Sequence, residues 1–541
     1  MPPFERSPVA GRALAAVLCC FALLMLLFPG TFSQFANPNE LSRYQSVIAA
    51  ADRGTFEISR EIGTLGGHED VSVSDGRTYS NKAPGLAFAA IPVYRALRLV
   101  LPAPSNVASP LFPAVRFLTV SVASILALAA FARRVSAVNA RAASLVVYAA
   151  AFGTPFLFYA RSFFAHAWTA ALLFLAWDRI LAAEEAGPSR RVTVPYMISG
   201  LLAGLAAISE YPVALISLLL ALRAASGKNG RAFALFLTGL AVPLAGLAVY
   251  DTICFGAPWV LSSAREGFPE YQKLSTGGAF GFQAPSLKIA LAYLIHPARG
   301  VLIFSPFFLW CVPGFLRWWR SRERRPDFAL CLATTVLFFI AMTAYPNWHG
   351  GWSLGSRYLL PVLFFAAFPM AQALDSPLSR GLFLAAVVFS AAGQFLLTST
   401  FAHFPDSVPF PAATGSWWFL AHGWIAPSVF GSAPAAGVAA IVIAAMAFAA
   451  PLALSARAGA PLSPRPALCV FIGAAPLAAL LLRPPPLSYS ARLWRAGVFG
   501  QYSGRDPARA ELAAVARAAA SPEEQRQAVR AWRIFGPRAS P

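Results

Sequence analysis

The chain has 541 residues, of which 57% are hydrophobic and only 12% charged, about half the share of charge usual in a soluble domain. Forty-three lysines and arginines outnumber twenty-three acids, for a net charge of +20. Much of that excess lies in short loops between apolar runs, at Arg133, Arg134 and Arg141, Arg190 and Arg191, Arg223, Lys228 and Arg231, and Arg317 to Arg325. Basic short loops mark the cytoplasmic side of a membrane protein, which argues against nucleic acid as a partner.

In chain order, Arg6 and Arg12 precede an apolar run from Ala13 to Phe28. No small-x-small cleavage site follows it, so the run is expected to stay as a first membrane helix pointing outward. Apolar runs of similar length recur to the end of the chain, each able to cross a hydrocarbon core of about 30 Å. Backbone groups in lipid must be satisfied within the segment, so these runs predict helices. The fold class expected is an all-α polytopic membrane protein with about thirteen spans.

Residues 31–106 form a large first external loop in this reading. Asn39 or Ser42 is expected to cap a helix from Arg43 to Arg53, closed by Gly54. Gly66-Gly67, Asp75-Gly76 and Pro84-Gly85 punctuate short irregular or strand-like pieces, and Leu86 to Leu101 predicts a helix lying in the interface. Later spans include 142–159, 164–182, 299–317 and 357–374. Residues 194–225 predict either two short spans or one kinked helix, because Glu210-Tyr211-Pro212 interrupts them.

Residues 252–298 and 400–431 are expected outside, the latter carrying Trp417, Trp418 and Trp424 at a membrane interface. Residues 1–482 thus form the membrane domain and 483–541 a basic tail. Parity puts the tail outside, whereas its arginines favour the inside. The six cysteines lie in or beside apolar runs without metal-ligand spacing and predict no disulfide framework.

Chemistry is expected at the outer face. Glu40, just beyond the first helix, can meet both headgroup and solvent, and a carboxylate there can remove a proton from an acceptor hydroxyl. Asp70 and Asp75 are the alternative acids. Lys82, in Tyr79-Ser80-Asn81-Lys82-Ala83-Pro84-Gly85, can hold a phosphate, and Arg43 lies one helical turn beyond Glu40. Arg161, His166, His296, Arg299, His349 and Arg357 cluster at predicted external helix ends, where polar side chains line a shared site rather than lipid. No metal is assigned.

Asn39-Glu40-Leu41-Ser42-Arg43-Tyr44, the Lys82 segment and Gly350-Gly351-Trp352-Ser353-Leu354-Gly355-Ser356-Arg357-Tyr358 together resemble motifs of the GT-C superfamily of membrane glycosyltransferases. The likeness is to the protein O-mannosyltransferase and aminoarabinose-transferase branches, families 39 and 83. Those enzymes typically carry an acidic pair before Arg-Tyr; here Asn39 stands for the first acid and an extra residue separates Glu40 from Arg43. Ala83 replaces the first proline after the lysine.

The resemblance implies a polyprenyl-phosphate sugar donor, a lipid, glycan or protein acceptor, and no cofactor. Glu40 would be the base and Lys82 the ligand of the donor phosphate. It also implies an inner-membrane location with the site facing the periplasm. The contrasting reading is a transporter or lipid-linked glycan flippase, for which an internal repeat would be expected; none is visible.

Overall fold

The computed structural model describes residues 8–28, 37–186, 193–227, 229–278, 281–400, 403–421, 434–458, 466–503 and 506–535. Helices dominate, as the apolar runs require. Five among the described residues are long and apolar enough to cross a membrane: Ala10–Leu27, Leu111–Val138, Gly230–Phe255, Arg325–Thr343 and Pro377–Ser399. Other apolar helices are shorter, because prolines and polar breaks divide them. Gly153-Thr154-Pro155 splits the expected 142–159 span into Ala143–Phe152 and Phe156–Tyr159. The expected 357–374 span is a run of 3₁₀ and α turns around Pro361 and Pro369.

The alternative left open at residues 194–225 resolves as a helical hairpin. Thr193–Ala207 and Ala214–Ser226 fold back on each other, with the Ser217 hydroxyl donating to the Ala203 carbonyl at 2.8 Å. Glu210 and Tyr211 sit at the tip.

The first loop begins with a capped helix. After α1 (Pro8–Leu27), α2 (Pro38–Arg53) starts at Asn37, whose side chain accepts from the Asn39 amide at 3.0 Å, and it ends at Gly54 in the left-handed conformation. The cap is therefore Asn37, not Asn39 or Ser42, and Pro38 suits the first helical position because its missing amide is not needed there. Starting a turn earlier than expected places Glu40 in the first turn, where the helix dipole favours a carboxylate. Next come the antiparallel strands β1 (Val71–Ser74) and β2 (Arg77–Ser80). Asp75 (φ 49°) and Gly76 (φ 71°) form the two-residue turn between them, which requires two left-handed residues.

The charges define two ends. Arg133 and Arg134 pair with Asp178 at 2.6 and 2.7 Å, and Arg134 also with Glu185 at 2.6 Å. Arg223 pairs with Glu184 at 2.6 Å and Asp327 at 2.7 Å. These basic residues converge on the last turns of one helix, Ala165–Glu185. His166 stands at its first turn, and at about 1.5 Å per residue the helix puts Asp178 about 18 Å and Glu185 about 29 Å from it.

The tail packs at the His166 end. Trp494, on the helix Tyr489–Ser503, lies edge-on to Trp352 at 5.8 Å, and Arg495 donates to the Thr414 carbonyl at 3.1 Å. Trp424 falls outside the described residues.

The two-ended arrangement predicts a labelling pattern. Gly76 and Arg322 both have left-handed backbones, so Arg77 and Glu323 are the better reporter positions. In a background with native cysteines replaced, Arg77→Cys in sealed, right-side-out vesicles should react with an impermeant maleimide and Glu323→Cys should not. The reverse pattern would invert the topology.

Candidate functional site

The segment Arg161–Phe164, between Phe156–Tyr159 and Ala165–Glu185, is with His166 the hub to which the loops attach. On one side stands Glu40. Its Oε1 accepts from the Phe163 amide and its Oε2 lies 3.7 Å from an Arg116 guanidinium nitrogen. Arg116 is itself anchored, donating to the Arg161 carbonyl at 2.9 Å. Tyr44, on the same helix as Glu40, stacks on Phe163 at 4.2 Å and donates to the Phe112 carbonyl at 2.7 Å. The carboxylate is thus buried and pinned at one oxygen, with the other held only loosely.

On the other side stands Lys82, whose ammonium is 2.9 Å from Asp70. The turn that carries it is tightly built. Arg43 donates to the Ala83 carbonyl at 3.0 Å, and the Gly85 amide donates to the Ile208 carbonyl at 2.8 Å. A Cβ at Gly85 would come within 2.4 Å of the Ser209 hydroxyl and 2.8 Å of the Ile208 carbonyl carbon. Only glycine lets the loop close on the tip of the helical hairpin. Ser42 holds the strand side, donating to the Asp70 carbonyl at 2.6 Å and lying 2.7 Å from the Ser80 hydroxyl.

At the hairpin tip, Glu210 bonds to His166 through one oxygen and accepts from Thr169 at 2.9 Å through the other. Tyr358 lies edge-on to His166 at 5.4 Å, and the Arg357 guanidinium stands 5.4 Å over the Phe164 ring. Arg43, Asp70, Glu210 and Arg357 are close enough to perturb one another. Burial pushes the Arg43 guanidinium down to about 10, against the opposing pull of Glu210 and Asp70. Burial alone would raise Asp70, but the Lys82 charge and hydrogen bond outweigh it and hold the carboxyl below its usual range.

The remaining expected residues separate. Asp75 lies at the exposed hairpin turn, where the Asp-Gly pair serves the backbone, apart from the Lys82 turn. Arg299 is buried and its hydrogen bonds go to the carbonyls of Ala298, His349, Gly351 and Phe404. It clamps the Gly350-Gly351-Trp352 loop and is not aimed at a ligand. His296 and His349 pack around Trp348, with rings 5.2 and 6.0 Å from it, beside the Arg357 group and not within it. Lys82 and Glu40 make no direct contact; Arg43, on α2 with Glu40, joins the two sides.

Two residues were missed from sequence. Arg116 is the partner of Glu40. Glu266 bridges to Ser72 and accepts from Asn81 at 2.8 Å; burial raises its carboxyl to about 7, over the opposing effects of Asn81 and Lys82. A raised carboxyl stabilises the fold most while protonated in both states, and that contribution is lost as pH rises through about 7. Glu266→Gln should therefore flatten the thermal-stability profile between pH 5 and 8, raising the high-pH end by on the order of 1 kcal/mol after allowance for its partial exposure. An unchanged slope would show that Glu266 does not titrate there.

No protein-family model and no curated protein matches the chain. Among solved structures, it is similar to ArnT from Cupriavidus metallidurans in the apo state, at 16% identity and TM-score 0.44, over 86% of this chain and 76% of that one. ArnT bound to undecaprenyl phosphate matches at 15% identity and TM-score 0.43, over 91% and 79%. The archaeal oligosaccharyltransferase AglB from Archaeoglobus fulgidus, with an inhibitory peptide and dolichol-phosphate, matches at 13% identity and TM-score 0.42, over 93% of this chain and 59% of that one.

Proposed function

We propose that this chain is a membrane-embedded, inverting glycosyltransferase of the GT-C type. It would take a sugar from a polyprenyl-phosphate donor to an acceptor hydroxyl at the periplasmic face of the inner membrane. The observation that carries this reading is the position of Lys82. It sits on a turn fixed by Arg43 and Gly85, in a polar cluster at the opposite end of the helix Ala165–Glu185 from the basic belt, with Glu40 on the helix that supplies Arg43.

In the reaction, Glu40 takes the proton from the acceptor oxygen, which attacks the anomeric carbon from the face opposite the carrier. The carbon–oxygen bond to phosphate breaks and its electron pair goes to the phosphate oxygen. Lys82, Arg43 and Arg357 hold the charge that appears there. Phosphate leaves without being protonated, so one carboxylate suffices where a glycosidase needs two. Asp70 occupies Lys82 in the resting protein and must yield or share it when the phosphate arrives. Glu210, by fixing His166, orients the wall of the site facing Arg357.

The test is incubation of the purified protein with radiolabelled polyprenyl-phosphate sugars and membrane extract. Label should move to an acceptor with release of polyprenyl phosphate. Transbilayer movement of the intact donor without bond exchange would replace this reading by a transporter.

A further inference from the structure

Arg161 is a buried cation without a counter-ion. It is 7% exposed, and its side-chain hydrogen bonds are two long ones, 3.4 Å to the Phe28 carbonyl and 3.5 Å to the Thr398 carbonyl. Its Nε has no partner, and among the described residues no carboxylate forms an ion pair with it. The charge acting on it is another cation, Arg116. The chain segments adjoining those two carbonyls, 29–36 and 401–402, contain no acidic residue. A buried charge is strongly disfavoured unless it is paired. Arg116 alongside already has Glu40, so it is Arg161 that is suited to an anion arriving from outside the chain.

The location says which kind. Phe28 follows the outer end of α1, and Thr398 lies in the last turn of Pro377–Ser399; both helices are long and apolar enough to span a membrane. Leu26, on the last turn of α1, is 55% exposed, so this side of the structure faces lipid. An anion reaching Arg161 between these helix ends comes from the outer headgroup layer. Two residues further on, the Phe163 amide holds Glu40.

We propose that Arg161 is a second phosphate site, separate from Lys82, that receives the phosphate of a lipid entering between α1 and Pro377–Ser399; on the transferase reading above, this lipid is the acceptor, one that carries its hydroxyl beside a phosphate. The Lys82 cluster then serves the donor, and the pinned carboxylate of Glu40 stands between the two.

The test titrates short-chain phosphatidic acid into the detergent-solubilised full chain, with phosphatidylcholine and inorganic phosphate as comparisons. Phosphatidic acid should bind wild type and Lys82→Ala alike. Arg161→Gln should weaken it by about ten-fold or more, as loss of a charge-assisted contact does, and Arg161→Lys should restore most of the binding. Equal binding by Arg161→Gln overturns the proposal. So does equal loss in Lys82→Ala, which would mean a single shared site, or inorganic phosphate competing as well as the lipid.

If Arg161→Gln does not fold, hydrogen exchange on wild type decides. Phosphatidic acid should slow exchange across residues 160–165, and no change there overturns the site. In the transfer assay, Arg161→Gln should raise KM for acceptor and not for donor. A wild type that transfers no sugar at all would sink the transferase reading while leaving the lipid-binding result standing.

Discussion

Glu40→Gln should lower turnover by about two to four orders of magnitude, the usual contribution of a general base, while the donor lipid still binds. The structure makes this substitution informative. A glutamine oxygen can still accept from the Phe163 amide, so the first turn of α2 stays attached to the hub. The amide nitrogen would then face Arg116, 3.7 Å from the present carboxylate oxygen, where two donors oppose each other. That costs some stability, but Arg116 keeps its bond to the Arg161 carbonyl. What disappears is the capacity to take a proton. Turnover by single-turnover transfer of labelled sugar, alongside donor binding measured separately, reads the two effects apart. Near-normal turnover would move the role to Asp70, the other acid beside the Lys82 turn, and dispensability of both would end the carboxylate mechanism.

The legible parts of the site have local physical reasons. Glu40 stands out because it is the first acid after the first apolar run and lies one helical turn before Arg43-Tyr44. Lys82 stands out because Pro84 and Gly85 fix the turn beside it, and the glycine is required by the approach of Ile208 and Ser209. Arg116 could not be read, since it falls just inside a 28-residue apolar run and nothing local ties it to a glutamate 76 positions earlier. Glu266 depends on a β-bridge to Ser72 across almost two hundred residues.

The structural place of Asp75 was legible in the sequence. Asp-Gly flanked by Val71-Ser72-Val73-Ser74 and Arg77-Thr78-Tyr79-Ser80 is a hairpin signal before it is a catalytic one. The span pattern shows the same division. The break at Glu210-Tyr211-Pro212 is visible from residue type, and only the choice of a hairpin over a kinked helix depends on Ser217 finding the Ala203 carbonyl. Gly153-Thr154-Pro155, expected within one span, breaks it as glycine and proline do.

Lys82→Ala should weaken donor binding by about ten-fold to a hundred-fold, the equivalent of a charge-assisted contact of about 1.5–3 kcal/mol, and turnover should fall with it. The pairing with Asp70 at 2.9 Å adds a second, structural effect that must be separated. Without the ammonium, Asp70 loses the partner that keeps its carboxyl below the usual range. A depressed carboxyl stabilises the fold above its unfolded pKa, and that contribution disappears as pH falls through the folded value. Lys82→Ala alone should therefore lower the melting temperature at pH 7 and weaken the acid dependence. Adding Asp70→Asn removes the stranded charge and should recover part of the melting temperature, because an unpaired, half-buried charge costs more than the lost pair. Donor affinity should stay low in the double variant, since the phosphate still lacks its cation. Were Asp70→Asn to restore donor binding as well as stability, Lys82 would be a partner for Asp70 and nothing more, and the donor phosphate would have to be held by Arg43 and Arg357 alone.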